Sequence, residues 1–248
     1  MKSSKGLTSN QLKIIAMAAM FFDHFFAVFS SRNTIVGMFL RVPGRIVAPS
    51  MCFIIAESYY YTSDRKKYIF RLIILAVISH IPYNICFGYT LSPTHATSVI
   101  WALAMGLIGL TVLQSKNIHI VIKPIIMWVC CVAAITANWN YVAVLWIMGF
   151  GLFRGNIKHQ IASFSVIGVL FHLLPAFYRS FFNPAILTHW FQLGIFLAIP
   201  LLLLYNGKLG KKSKALSLSF YVFYPAHLIL IYLLNTLTPL SDVLRWLN

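Results

Sequence analysis

The chain has 248 residues, 60% hydrophobic and 10% charged, with a mean hydropathy of +0.81. Soluble domains carry about 25% charged residues, so the composition excludes a soluble protein and places the chain in a membrane. Its 20 Lys and Arg against four acidic residues give a net charge of +16. In a membrane chain, the positive-inside bias and anionic lipid account for this excess without nucleic acid as a partner.

Taken in order, the sequence reads as nine apolar windows of roughly the length that crosses a bilayer. They are Leu12–Ser30, Ile35–Tyr61, Tyr68–Gly88, Thr97–Gln114, Ile118–Ala137, Tyr141–Phe153, His159–Tyr178, Ile186–Tyr205 and Leu216–Leu237. Pro43-Gly44 breaks the second, which predicts a short interfacial helix over Thr34–Val42 ahead of the crossing. The sixth is short, as expected of a thin or re-entrant span. The first run follows Lys2, Lys5 and Lys13 but is too long for a signal peptide, and Asp23 interrupts it, so it is expected to stay as an anchor. Cys52, Cys86, Cys130 and Cys131 sit in apolar runs without paired spacing, which argues against disulfides or a metal site.

Loop charges orient the chain. With the N-terminus cytoplasmic, one side holds Lys2, Lys5, Lys13, Arg65, Lys66, Lys67, Lys116, Lys123, Arg154, Lys158, Lys208, Lys211, Lys212 and Lys214. The other holds Arg32, Arg179 and Arg245, so the C-terminus, with Asp242, is expected on the periplasmic side. The fold class is therefore an all-α polytopic membrane protein of about nine transmembrane helices, read as a single domain over residues 1–248.

Asp23 and His24 lie near the middle of the first window, where an ionised carboxylate costs roughly 2.5–3.5 kcal/mol. Ionisable groups at that depth face a cavity or a partner. Adjacent residues on a helix point about 100° apart, so each needs a partner elsewhere. Arg41 and Arg45, flanking the Pro43-Gly44 break, are the candidates for Asp23. Counting from the last preceding cation, His24, His80, His172 and His227 lie at similar depths, about 17–21 Å from the cation-bearing edge. Imidazole is the side chain best suited to proton transfer near neutral pH. Each of these rings has the plainer alternative of bonding a nearby carbonyl. Glu57 and Arg71, near Arg65-Lys66-Lys67, are read as a gate or a phosphate-binding cluster. In the ninth window, Pro225 bends the helix beside Tyr224 and His227.

In order along nearly the whole chain, these residues resemble the TraX family. The likeness rests on Lys13-Ile14-Ile15-Ala16 leading to Asp23-His24, on Gly44-Arg45-Ile46-Val47-Ala48-Pro49, and on Glu57 before Arg65-Lys66-Lys67-Tyr68 and Arg71-Leu72. It continues through Ile81-Pro82-Tyr83, Tyr205-Asn206-Gly207-Lys208 and Phe223-Tyr224-Pro225-Ala226-His227-Leu228. The resemblance implies a multi-pass protein of the bacterial inner membrane that acetylates the N-terminus of conjugative pilin from acetyl-CoA. It is also similar to transmembrane acyltransferases that use an intramembrane His. On that footing, His24 is the base or acyl carrier, with Asp23, Arg45 and His227 as catalytic partners. Arg65, Lys66, Lys67, Arg71, Lys208 and Tyr224 would hold the coenzyme, and Arg41, Glu57 and His80 would line the substrate side. The family pattern departs at His80, which ranks below His24. From residue types alone, a small proton-coupled transporter or a non-catalytic pilin chaperone stays open beside the enzyme.

Overall fold

In the computed structural model, which describes residues 6–30, 35–92, 95–181, 186–211 and 213–237, all nine apolar windows are helical in whole or in part. No strand forms among the described residues; two isolated bridges, Leu7 with Tyr205 and Thr97 with Ala137, are the extended pairings. Five helical stretches are long and apolar enough to cross a membrane: Ser9–Phe29, Ile35–Tyr61, Arg65–Phe87, Ile157–Tyr178 and Ala215–Leu237. The protein is thus an all-helical membrane protein. Four further apolar helices are shorter: Val99–Gln114, Ile122–Ala133, Asn140–Leu152 and Trp190–Leu203. Of the charges that orient the chain, Lys2, Lys5, Arg32, Lys212, Asp242 and Arg245 lie outside the described residues, as do the side chains of Arg179 and Lys214.

The described residues divide into two compact units, one of Met1–Ser50 with Val169–Asn248, the other of Met51–Gly168. In the first unit, α1 (Ser9–Phe29) begins at a capping box, with Thr8 accepting from the Gln11 backbone and the Gln11 side chain accepting from the Thr8 backbone. Its buried residues Leu12, Ala16, Ala19, Met20, Asp23 and His24 fall on one stripe, so the polar pair is turned inward with the apolar face. Before the cap, Leu7 donates to the Leu204 carbonyl and accepts from the Asn206 backbone, and Ser9 and Asn10 donate to Lys208 and Leu209 carbonyls. The loop 204–211 therefore straps the start of α1, with Gly207 and Gly210 supplying the positive φ its turns require.

The expected short helix before the second crossing is α2 (Ile35–Arg41), followed by a 3-10 turn over Pro43–Ile46 and then α3 (Val47–Tyr61). The break follows from Pro43, which has no N–H to continue an α ladder. Two other windows change helix type. Between α8 (Ile157–Gly168) and α9 (Leu174–Phe181) lies a π turn over Val169–Leu173, and Ile186–Leu197 winds as a 3-10 helix before α10 (Ala198–Leu203). The unit is completed by α11 (Lys214–Leu237), which carries Pro225 and packs on α1.

The second unit is built on α7 (Asn140–Leu152), whose Trp146 and Ile147 are fully buried. Glycines let α5 (Val99–Gln114) and α7 approach closely: a Cβ at Gly106 would stand 2.5 Å from Ile147 Cδ1, and one at Gly151 would overlap Leu110. Indole and amide donors close the remaining contacts, with Trp146 donating to Phe164 O at 3.1 Å and Gln160 to Phe150 O at 2.7 Å. Long α4 (Arg65–Phe87) starts at Asp64, which accepts from the Lys67 backbone, and ends at Gly88 in the left-handed region. The fifth window is shorter than its hydropathy suggests. Helix α6 spans Ile122–Ala133, because Thr136 and Asn138 leave the helix to pair with Thr97.

Because Gly106 faces the Ile147 side chain, Gly106→Leu overpacks α5 against α7. We expect a lower thermal midpoint in detergent, corresponding to about 1–3 kcal/mol. Combining it with Ile147→Ala, which vacates the volume, is expected to recover part of the loss; a double variant no more stable than Gly106→Leu refutes this packing assignment.

Candidate functional site

Helix α1 turns Asp23 toward the segment that follows it. One Arg45 nitrogen, Nη2, donates to both carboxylate oxygens at 2.6 and 2.5 Å, and Arg41 Nε lies 3.5 Å from Oδ1. The three side chains are only 9–12% exposed. The expected partnership of Asp23 with Arg41 and Arg45 therefore forms, across the Pro43-Gly44 break. A Cβ at Gly44 would overlap the Asp23 side chain, so the turn can approach α1 only because residue 44 is glycine. Among the described residues, the cluster thus brings two guanidinium groups to one carboxylate.

The long 3-10 helix covers that cluster. With three residues per turn, Phe191 and Gly194 stack on one face. The Phe191 ring lies 5.1 Å from the guanidinium carbons of both Arg41 and Arg45. A Cβ at Gly194 would stand 2.6 Å from Val42 O and 3.0 Å from Arg45 Cβ. Neither residue was legible as part of a site, because their shared face depends on a 3-10 winding that hydropathy does not reveal.

Next to Asp23 along α1, His24 meets His227 of α11: Nδ1 of His24 lies 2.8 Å from Nε2 of His227, with both rings buried. Nδ1 of His227 in turn lies 2.8 Å from the Phe223 carbonyl, in the turn around Pro225. A carbonyl only accepts, so His227 carries its proton on Nδ1. In the neutral pair, Nε2 of His227 must then accept, His24 donates from Nδ1, and Nε2 of His24 holds the lone pair. Phe223 stacks on His227 at 4.6 Å, and the buried Tyr224 presents its ring edge-on to His227 at 5.5 Å and His24 at 6.4 Å.

The other predicted histidines stay with local partners. His172, in the π turn, bonds Gln192 at 3.1 Å. His80, in the second unit, stays with its own helix, where Asn84 donates to its backbone carbonyl at 2.8 Å and lies 3.3 Å from its Nδ1. Of the four imidazoles expected at one depth, two pair.

Glu57 also finds a partner that was not expected. It pairs with Arg154 at 3.3 Å, and the Arg154 guanidinium lies 4.3 Å from the Tyr60 ring and 5.1 Å from Tyr61. Tyr60 donates to Gly151 O at 2.8 Å. This clamp sits where α3 and α7 both end, so Arg154 also meets the negative ends of two helix dipoles. At the start of α4, Arg65, Lys66, Lys67 and Arg71 are exposed, with Arg65 over the Tyr59 ring at 4.5 Å. Lys208 is exposed too, in the strap around α1.

A family described as TraX protein matches residues 8–235. The chain is also 27% identical, over 228 residues, to a protein of Dichelobacter nodosus named probable fimbrial assembly protein FimC, serogroup H1; the match covers 89% of this chain and 93% of that one. No solved structure matches.

Asp23→Ala leaves two buried guanidinium groups with one counter-charge removed, which costs about 3–5 kcal/mol. We expect a large fall in thermal stability, and a smaller one when Asp23→Ala is combined with Arg45→Ala. Equal losses from the single and double variants refute the pairing. Gly44→Ala, which adds no charge, is expected to destabilise by displacing the Asp23 side chain.

Proposed function

Taking as premise that the chain belongs to the TraX family, we propose that it is a multi-pass acetyltransferase of the bacterial inner membrane that modifies the N-terminal amine of pilin with acetyl-CoA. The observation that carries this reading is the hydrogen-bonded run Phe223 carbonyl, His227, His24, which assigns the lone pair of the pair to His24 Nε2. The fimbrial assembly name of the similar Dichelobacter protein supports a pilus subunit as acceptor. Membrane lipid surrounds the protein, and nucleic acid plays no part.

In this mechanism, His24 Nε2 takes the proton as the amine nitrogen attacks the thioester carbonyl. The N–C bond forms, the C–S bond breaks, and the proton passes from His24 to the departing thiolate, giving the amide and coenzyme A. His227 holds the tautomer and shares the positive charge that His24 acquires. The guanidinium groups of Arg41 and Arg45 meet α1 one residue from the base, where their positive charge favours the oxyanion of the tetrahedral state. The alternative covalent route, in which Nε2 carries the acetyl group, uses the same nitrogen. Exposed Lys208, in the strap around α1, suits the phosphates of the coenzyme, and Tyr224 packs against the pair that receives the thioester. Arg41 and Glu57, expected on the substrate side, form ion pairs with Asp23 and Arg154.

Purified protein is expected to release coenzyme A from acetyl-CoA only when pilin with an unblocked N-terminus is added; a proton relay or a chaperone releases none. His24→Ala is expected to lower turnover by about 10²–10⁴-fold. His227→Ala is expected to cost less, on the order of 10–10²-fold, as for other partners that orient a reacting ring. His227→Gln, whose amide oxygen can accept from Nδ1, is expected to recover part of that loss. Normal acetylation by His24→Ala refutes the assignment. Label from acetyl-CoA retained on the protein before pilin is added selects the covalent route.

A further inference from the structure

Helix α6 is twelve residues long, or about 18 Å, against about 30 Å for the hydrocarbon of a typical bilayer. Its outward stripe is apolar and exposed: Ile125, Trp128, Val129 and Val132 are 59%, 66%, 51% and 42% accessible, at the spacing of one helical face. Exposed Ile120, Val121 and Ile122 precede it, and polar contacts bracket the stripe itself. At one end, Lys123 Nζ donates to Leu113 O at 2.9 Å, closing the last turn of α5. At the other, Thr97 and Asn138 exchange backbone bonds with residues 136 and 97 at 2.9 Å, and Trp101 donates to Ala133 O at 2.8 Å. The two polar knots stand about 20 Å apart along the helix, from residue 123 to residue 136.

The geometry points to α6 as a surface that takes a locally thinned bilayer. Acyl chains against the stripe must fit between the two knots, since neither a lysine amine nor the exposed Asn138 is stable in hydrocarbon. Tilting shortens the reach of a helix across the membrane, so it widens the mismatch instead of relieving it. A partner helix that spans an ordinary bilayer would project beyond the knots by about 10 Å in total, which disfavours a protein as the cover. Trp128 fits the same reading. It stands five residues past Lys123, about 7.5 Å, a depth at which an indole in a thin leaflet reaches the headgroup level where Trp is enriched. On α4 of the same unit the exposed apolar stripe is longer, from Phe70 to Ile85, so the bilayer meets this unit at two thicknesses. The inference is independent of the acetyl-transfer reading.

The full chain, reconstituted in phosphatidylcholine vesicles whose chains run from about 14 to about 22 carbons, tests this. The thermal midpoint is expected to be highest in the shortest-chain bilayers and to fall with each lengthening. Spin labels placed singly at Val129 on α6 and at Ile78 on α4, in 18-carbon vesicles, give a second readout. The label at 129 is expected to lie closer to the headgroups than the label at 78, with oxygen accessibility as high as that of a lipid-facing site. A midpoint that peaks in 18-carbon or longer bilayers overturns the proposal, as do equal label depths. A label at 129 shielded from oxygen shows that a second copy or another protein covers α6, and also overturns it.

Discussion

A carboxylate clasped by two guanidinium groups inside the first apolar helix is the constraint on which the first unit depends. None of the three ions is tolerated alone at that depth, so α1, α2 and the Pro43–Ile46 turn have to meet. Meeting is possible because Gly44 leaves room for the Asp23 side chain and Gly194 leaves room for the backbone of Val42. Once Asp23 is committed to the arginines, the roll of α1 about its axis is set. His24, one residue and about 100° further on, is then carried toward α11. An electrostatic requirement thus fixes where a neutral, proton-handling ring points.

The second unit uses the same residue types for a different end. Glu57 and Arg154 are paired and sandwiched against tyrosine rings where two helices finish. There the charge closes helix ends and ties α3 to α7, and no histidine sits beside it among the described contacts. What separates the Asp23 cluster is His24, next to it in sequence and paired with His227. The chemical reading therefore rests on the neighbourhood of the ion pair and not on its existence.

Much of this was legible in the residues. Period and length marked the helical windows, Pro43 marked the break that yields α2, and the cost of Asp23 in hydrocarbon pointed to Arg41 and Arg45 as its partners. The pairing of His24 with His227 was visible only as a similar count from the preceding cation, because position along an axis says nothing of direction around it; His80 and His172 have similar counts and bond Asn84 and Gln192 instead. The partner of Glu57 was not legible, because the C-terminal ends of α3 and α7 meet through tertiary packing that no local pattern displays. The 3-10 winding of Ile186–Leu197, which puts Phe191 and Gly194 on one face, has a hydropathy indistinguishable from that of an α-helix. Hydropathy likewise overstated α6, since Thr136 and Asn138 prefer a backbone partner in Thr97 to another helical turn.

The two partners of the first helix are separated from it by very different lengths of chain: Arg45 follows Asp23 by 22 residues, and His227 follows His24 by 203. A ribosome delivering this protein therefore completes the charge pair almost at once, while the imidazole waits for the final helix. The strap from residue 204 onward, which holds the start of α1, also arrives late. The charge pair and the imidazole pair are thus assembled at opposite ends of synthesis.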